Sequence, residues 1–162
     1  MSFDIFCIAY RKGEIAIGDA GAARAVLRSR AQSLSETDGY SSLEFSDGSF
    51  VALCADGIAN SEKPFDGGMF HLTGSSWTPT IMQLIYDFAV AGRLIIFPQD
   101  PPRAILPLEE LRVDVPSRFL RDPQPIAVRN GHELGLAVSN RMDELSALSK
   151  AQVEGTPRAY EG

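Results

Sequence analysis

The chain has little of what chemistry usually needs. Among 162 residues there are two histidines, two cysteines, one tryptophan and three lysines. Neither His71 nor His132 has a second histidine or a cysteine at ligand spacing, so the sequence gives no reason to expect a metal site. Glycine motifs fail likewise: Gly13, Gly18 and Gly21 match neither G-x-G-x-x-G nor a phosphate loop, and no lysine follows at the required place. Gly74-Ser75-Ser76-Trp77 leads toward a helix, but the G-x-S-x-G nucleophile turn is missing, and capping around Thr78 explains the serines. No cofactor is expected. No stretch approaches the roughly 18 apolar residues of a membrane span, and the N-terminal run has no basic flank of the kind a secretory signal carries. Cys7 and Cys54 each sit inside an apolar, strand-like run, which suits reduced core thiols and a cytoplasmic location.

What the chain does have is an uneven charge. The net charge is −6, with 44% hydrophobic and 22% charged residues. Seven acids lie between Glu36 and Asp66 (Glu36, Asp38, Glu44, Asp47, Asp56, Glu62, Asp66) against one base, Lys63. The remaining 131 residues hold 14 acids and 14 bases, so this segment carries the whole excess. That argues against direct nucleic-acid binding and for a basic protein partner, since a one-signed patch speeds and orients association.

Patterning predicts the fold class. Ser2 to Tyr10 is apolar on both faces, as in a central strand. Asp19 caps an alanine-rich helix that buries Ala22, Ala23, Val26, Leu27 and Ala31. Ser33 to Gly39 reads as a polar loop. Leu43 to Cys54 reads as a hairpin on a two-residue Asp47-Gly48 turn, which sets Phe45 opposite Phe50, Leu43 opposite Ala52 and Glu44 opposite Val51. Met69 to Thr73 is a short strand. Thr78 and Pro79 start a helix with Ile81, Leu84, Ile85, Phe88 and Ala89 inward and Gly92 as its left-handed cap. Leu94 to Phe97 and Arg103 to Leu106 form an antiparallel pair, and a helical turn is expected near Leu108 to Leu111. Ile126 to His132 reads either as a hairpin on an Asn130-Gly131 turn or as a short strand followed by a tail helix capped by Asn130; the second reading is favoured, with Glu133 closing a capping box and Leu134, Val138, Met142, Leu145 and Leu148 in one stripe to about Lys150. The expectation is one α+β domain over residues 1–154. Its mostly antiparallel sheet with packed helices has the order β-α-β-β-β-α-β-β plus the C-terminal helix, and residues 155–162 form a disordered tail.

Several segments together resemble a known set. Phe3-Asp4-Ile5-Phe6, Leu43-Glu44-Phe45-Ser46-Asp47-Gly48, Phe65-Asp66-Gly67-Gly68-Met69-Phe70, Leu94-Ile95-Ile96-Phe97-Pro98 and Ala104-Ile105-Leu106-Pro107 look like small proteobacterial immunity proteins of polymorphic or contact-delivered toxins. The resemblance spans roughly residues 3 to 107 and rests on turns and strands, so it carries over no catalytic residue. It implies a cytoplasmic, non-enzymatic protein that blocks a cognate toxin, for which a basic nuclease domain would be complementary. The expected contacts are Glu44, Asp47, Asp56, Glu62 and Asp66, with Trp77 as anchor. Two rival readings stand beside it: a small-molecule enzyme centred on His71 and Asp66, and a homodimer or other self-associating subunit using the stripe from Leu134 to Leu148.

Overall fold

A computed structural model describes residues 3–37, 39–58, 62–99, 103–121 and 124–139. The chain is α+β, built on one eight-stranded sheet. Its strands are β1 (Phe3–Ile8), β4 (Ser33–Thr37), β5 (Tyr40–Glu44), β6 (Phe50–Cys54), β7 (Gly67–Leu72), β8 (Ile95–Pro98), β9 (Ile105–Leu106) and β10 (Ile126–Ala127). A separate two-stranded ribbon joins β2 (Tyr10–Arg11) to β3 (Glu14–Ile15). The spatial order is β10-β9-β8-β1-β7-β6-β5-β4, and every pairing except the parallel β9–β10 is antiparallel.

As expected, β1 is interior. Phe3, Ile5 and Cys7 point to a face covered by the helices α1 (Ala20–Arg30), α2 (Pro79–Gly92) and α3, whose described part covers 131–139. Leu72, Phe70, Val51, Leu53, Leu43, Ile96 and Ile105 share that face, and Ala23, Leu27, Ile85, Phe88, Leu134 and Val138 descend on them from the helices. On the opposite face a smaller cluster of Ile95, Phe97, Leu106, Leu111 and Val115 closes over β8 and β9. That second cover comes from 3-10 turns at Glu109–Asp114 and Ser117–Phe119. It explains why all four residues of β8 are buried.

The caps follow local chemistry. Asp19 Oδ1 accepts from Ala22 N at 3.0 Å, Thr78 Oγ1 from Ile81 N at 3.3 Å, and Asn130 Oδ1 from Glu133 N at 2.9 Å. Glu133 reaches one residue beyond the expected box, accepting from Arg129 N at 2.6 Å.

Three expectations are corrected. The Leu43–Cys54 hairpin has a three-residue loop: Phe45 N donates to Ser49 O and Gly48 N to Phe45 O, both at 3.0 Å. Gly48 has φ +86 while Asp47 stays on the negative side, so the loop is a turn followed by one left-handed residue. The register therefore shifts by one, pairing Leu43 with Val51 and Glu44 with Phe50. Leu43, Val51 and Leu53 then share the buried face, which the two-residue turn would have divided.

Residues 33–37 are a strand, not a loop. Strand β4 holds the sheet edge by pairing with β5, so the ladder outweighs its polar composition. At the end of α2 the left-handed position is taken by Arg93 (φ 56), with Leu94 N donating to Ala89 O at 2.8 Å. Gly92 serves a different need. A Cβ there would lie 3.0 Å from the Leu94 side chain and 3.5 Å from Ala23 Cβ, where α1 crosses α2. In the tail helix, as expected, Leu134 and Val138 of the stripe point into the core. Met142, Leu145 and Leu148 and the tail 155–162 lie outside the described residues.

Candidate functional site

The tip of the β5–β6 hairpin is bolted to the start of α2. Ser49 Oγ and Thr78 Oγ1 are 2.8 Å apart, and Thr80 Oγ1 donates to Asp47 Oδ2 at 2.6 Å. Ser49 N donates to Asp47 Oδ1 at 2.8 Å. These donors, with Ser49 first, hold the Asp47 carboxyl down at about 2, below its ordinary value of 3.8. The positive end of the α2 macrodipole lies beside the same carboxylate.

Trp77 sits at the loop-to-helix junction that precedes α2. Its ring packs on Phe3 with centroids 5.5 Å apart, and it is half-buried against the main core. Trp77 is thus part core plug and part surface. Between this junction, the hairpin tip and α3 opens a cleft of about 790 Å³. Phe45, Trp77 and Met82 form apolar walls, Leu136 (53% exposed) stands on the rim, and Asp47, Gln83, His132 and Arg30, whose charge is paired with Asp87 at 2.7 Å, supply polar groups. A cleft with apolar walls and a few fixed polar groups is the usual form of a recognition site.

The other expected contacts do not gather here. Glu44 is exposed, on the face opposite the helices and near the same sheet end as Asp47. Asp56 and Asp66 lie at the far end, about 17 Å away along the five residues of β6 at about 3.3 Å each. Those two line a separate 360 Å³ hollow with Phe6, Cys54 and Met69. Glu62 lines another hollow near that far end, beside Phe65 and Pro64. Glu36 turns toward the helix-covered side and pairs with Arg24 at 2.9 Å, and Asp38 lies outside the described residues. A segment contiguous in sequence is therefore divided between two ends of the sheet, because each strand carries its charges the length of the ladder.

His71 faces Asp4 directly across β1–β7, with Nδ1 2.7 Å from Oδ1. This is a local pair on the open side of the sheet. Asp66 lies five residues earlier in the chain, about 16 Å away in extended geometry, and its backbone oxygen accepts from Ala9 N at 2.8 Å. The two residues of the enzyme reading are not brought together.

Sequence reasoning missed Thr80, Phe45, Met82 and Leu136 as neighbours of the cleft, and it missed Asp4 as the partner of His71. The Asp4–His71 pair needed the β1–β7 register, which no local pattern supplies. Among the described residues no three His, Cys, Asp or Glu side chains converge as a metal site would require, and no helix is long and apolar enough to cross a membrane. No family model, curated protein or solved structure matches the chain.

Proposed function

We propose that this chain is a non-enzymatic protein-binding protein, an immunity protein that neutralises a cognate toxin, and that the cleft at the hairpin tip is where the partner docks. The observation that carries the reading is the pairing of Asp47 with Trp77 on one cleft. A carboxylate held ionised and oriented stands beside an aromatic side chain that is half inside the core. Such an arrangement suits a basic side chain of the partner, which gains both an ion pair and an aromatic face. Glu44, exposed near the same sheet end, adds to the negative potential on approach. Asp56, Glu62 and Asp66 belong to the opposite end and contribute at most to steering. The cytoplasm is the compartment in which a toxin made in the same cell would need to be blocked.

The test is binding to the toxin domain encoded beside this chain, by surface plasmon resonance at low salt, which gives both affinity and dissociation rate. Asp47→Asn keeps an acceptor for Ser49 N and removes the charge, and together with Leu136→Ala it is expected to weaken binding by about tenfold or more. Reversal of Asp56 and Asp66 to Lys is expected to leave the dissociation rate unchanged. Equal losses from both ends, or none from Asp47→Asn with Leu136→Ala, would remove the cleft as the docking site. Absence of any binding to a neighbouring toxin domain would remove the immunity reading itself.

A further inference from the structure

We propose that β4 is a self-association edge, at which a second copy of this chain adds its own β4 antiparallel, across a two-fold axis at Ser35. Among the described residues, strand β4 ends the eight-stranded sheet and has β5 as its one strand partner. In an antiparallel strand alternate residues turn N–H and C=O away from a single neighbour, so an edge strand offers a row of unpaired backbone groups. Soluble proteins usually protect such edges with lysine, proline, a bulge or extreme shortness. The opposite edge, β10, has two residues. In contrast, β4 runs five residues as Ser33-Leu34-Ser35-Glu36-Thr37, without proline, lysine or arginine.

Its one charge is withdrawn from the edge. Glu36 lies on the helix-covered side with 17% side-chain exposure, held at 2.9 Å by Arg24 of α1. The outward pattern is also self-complementary. Antiparallel pairing centred on Ser35 sets Ser35 against its own copy and Ser33 against Thr37, all exposed hydroxyl side chains on the open face. On the other face Leu34 meets Glu36. No like charges oppose each other, and Ser/Thr pairs across strands are favourable. A two-fold contact of one strand with itself closes without leaving a new edge at the junction. That closure is why a second copy is the occupant the sequence of β4 fits best. The contact is narrow, so the affinity belongs to the micromolar class. This inference is independent of the cleft at the hairpin tip and uses the outer edge of the sheet.

Sedimentation equilibrium of the full chain tests it, with a dimer expected to be populated by about 0.1 mM. Ser35→Lys puts two ammonium groups face to face on the axis and is expected to weaken association at least tenfold or so. Ser33→Lys, facing Thr37, is expected to change it by less than about threefold. Both side chains are exposed, and circular dichroism checks that each variant stays folded. In a Cys54→Ser background, Ser35→Cys is expected to form an intermolecular disulfide on mild oxidation, because directly opposed Cβ atoms lie about 4.5–5.5 Å apart. Ser33→Cys is expected not to do so. A wild-type chain that stays monomeric at about 1 mM overturns the proposal. Equal effects of lysine, or equal cross-linking by cysteine, at positions 33 and 35 would do the same.

Discussion

Thr80 donates its hydroxyl to Asp47 at 2.6 Å, so the tip of a hairpin and the first turn of a helix 33 residues later move as one piece. This bond is the physical link between the strand and helix halves of the cleft. It also makes the cleft sensitive to acid. The folded Asp47 carboxyl titrates near 2 and the unfolded one near 3.8. The folded state therefore binds protons less readily, and the stability from this group is complete above about pH 4. It falls as pH drops toward 2. Trp77 fluorescence and the Thr80 amide shift, followed from pH 6 to about 2, are expected to report loosening of the hairpin tip in that window. In Asp47→Asn the same transition is expected to vanish.

Gly67 and Gly48 both take positive φ, but for unequal reasons. A Cβ on Gly67 (φ +130) would lie 1.9 Å from the carbonyl oxygen of Cys7, across the β1–β7 pair. Around Gly48 (φ +86) there is open space within 4 Å. Gly67→Ala is expected to cost about 3 kcal/mol or more, or to prevent folding, because backbone cannot give way cheaply. Gly48→Ala should cost about 1 kcal/mol, from the left-handed conformation alone. Urea denaturation measures both.

The two thiols differ by burial. Cys7 lies in the core, and burial pushes its thiol far above the ordinary value, while Cys54 is exposed on the open face of β6. One adduct per native chain is expected with a water-soluble maleimide at neutral pH, all of it at Cys54. A second should appear only in denaturant. Peptide mass spectrometry locates the label, and native modification of Cys7 would show that β1 opens.

Leu134 and Leu136 sit two residues apart on α3 and face opposite environments. Leu134 is fully buried, whereas Leu136 is 53% exposed. Leu134→Ala is expected to destabilise by about 2–5 kcal/mol, and Leu136→Ala by less than about 0.5 kcal/mol. Equal effects would mean that the tail helix is not anchored through the Leu134–Val138 stripe.

Local chemistry made much of this chain legible. The caps at Asp19, Thr78 and Asn130, the inward stripe of α2 and the two-sided apolar character of β1 all follow from interactions within a few residues. The α+β class follows from their order. The candidate site was legible in fragments: Asp47 and Trp77 stood out singly, one as a turn acid and the other as the single tryptophan. Nothing local says that Thr80 would bind Asp47, or that the pair would share a cleft with α3.

The charge segment marks the boundary between the two kinds of information. Sequence alone determined that the net charge of −6 resides between Glu36 and Asp66, and that turns at Asp47-Gly48 and Asp56-Gly57 break this stretch. Only the tertiary structure decided where those charges go, because antiparallel strands send successive turns to opposite ends of a sheet. Register is set by burying Leu43, Val51 and Leu53 together, which required three loop residues where the Asp-Gly signal suggested two. Edge position is likewise a tertiary property. It made a strand of Ser33–Thr37, whose own residues have weak preference for one, and left its outer side without a strand neighbour among the described residues.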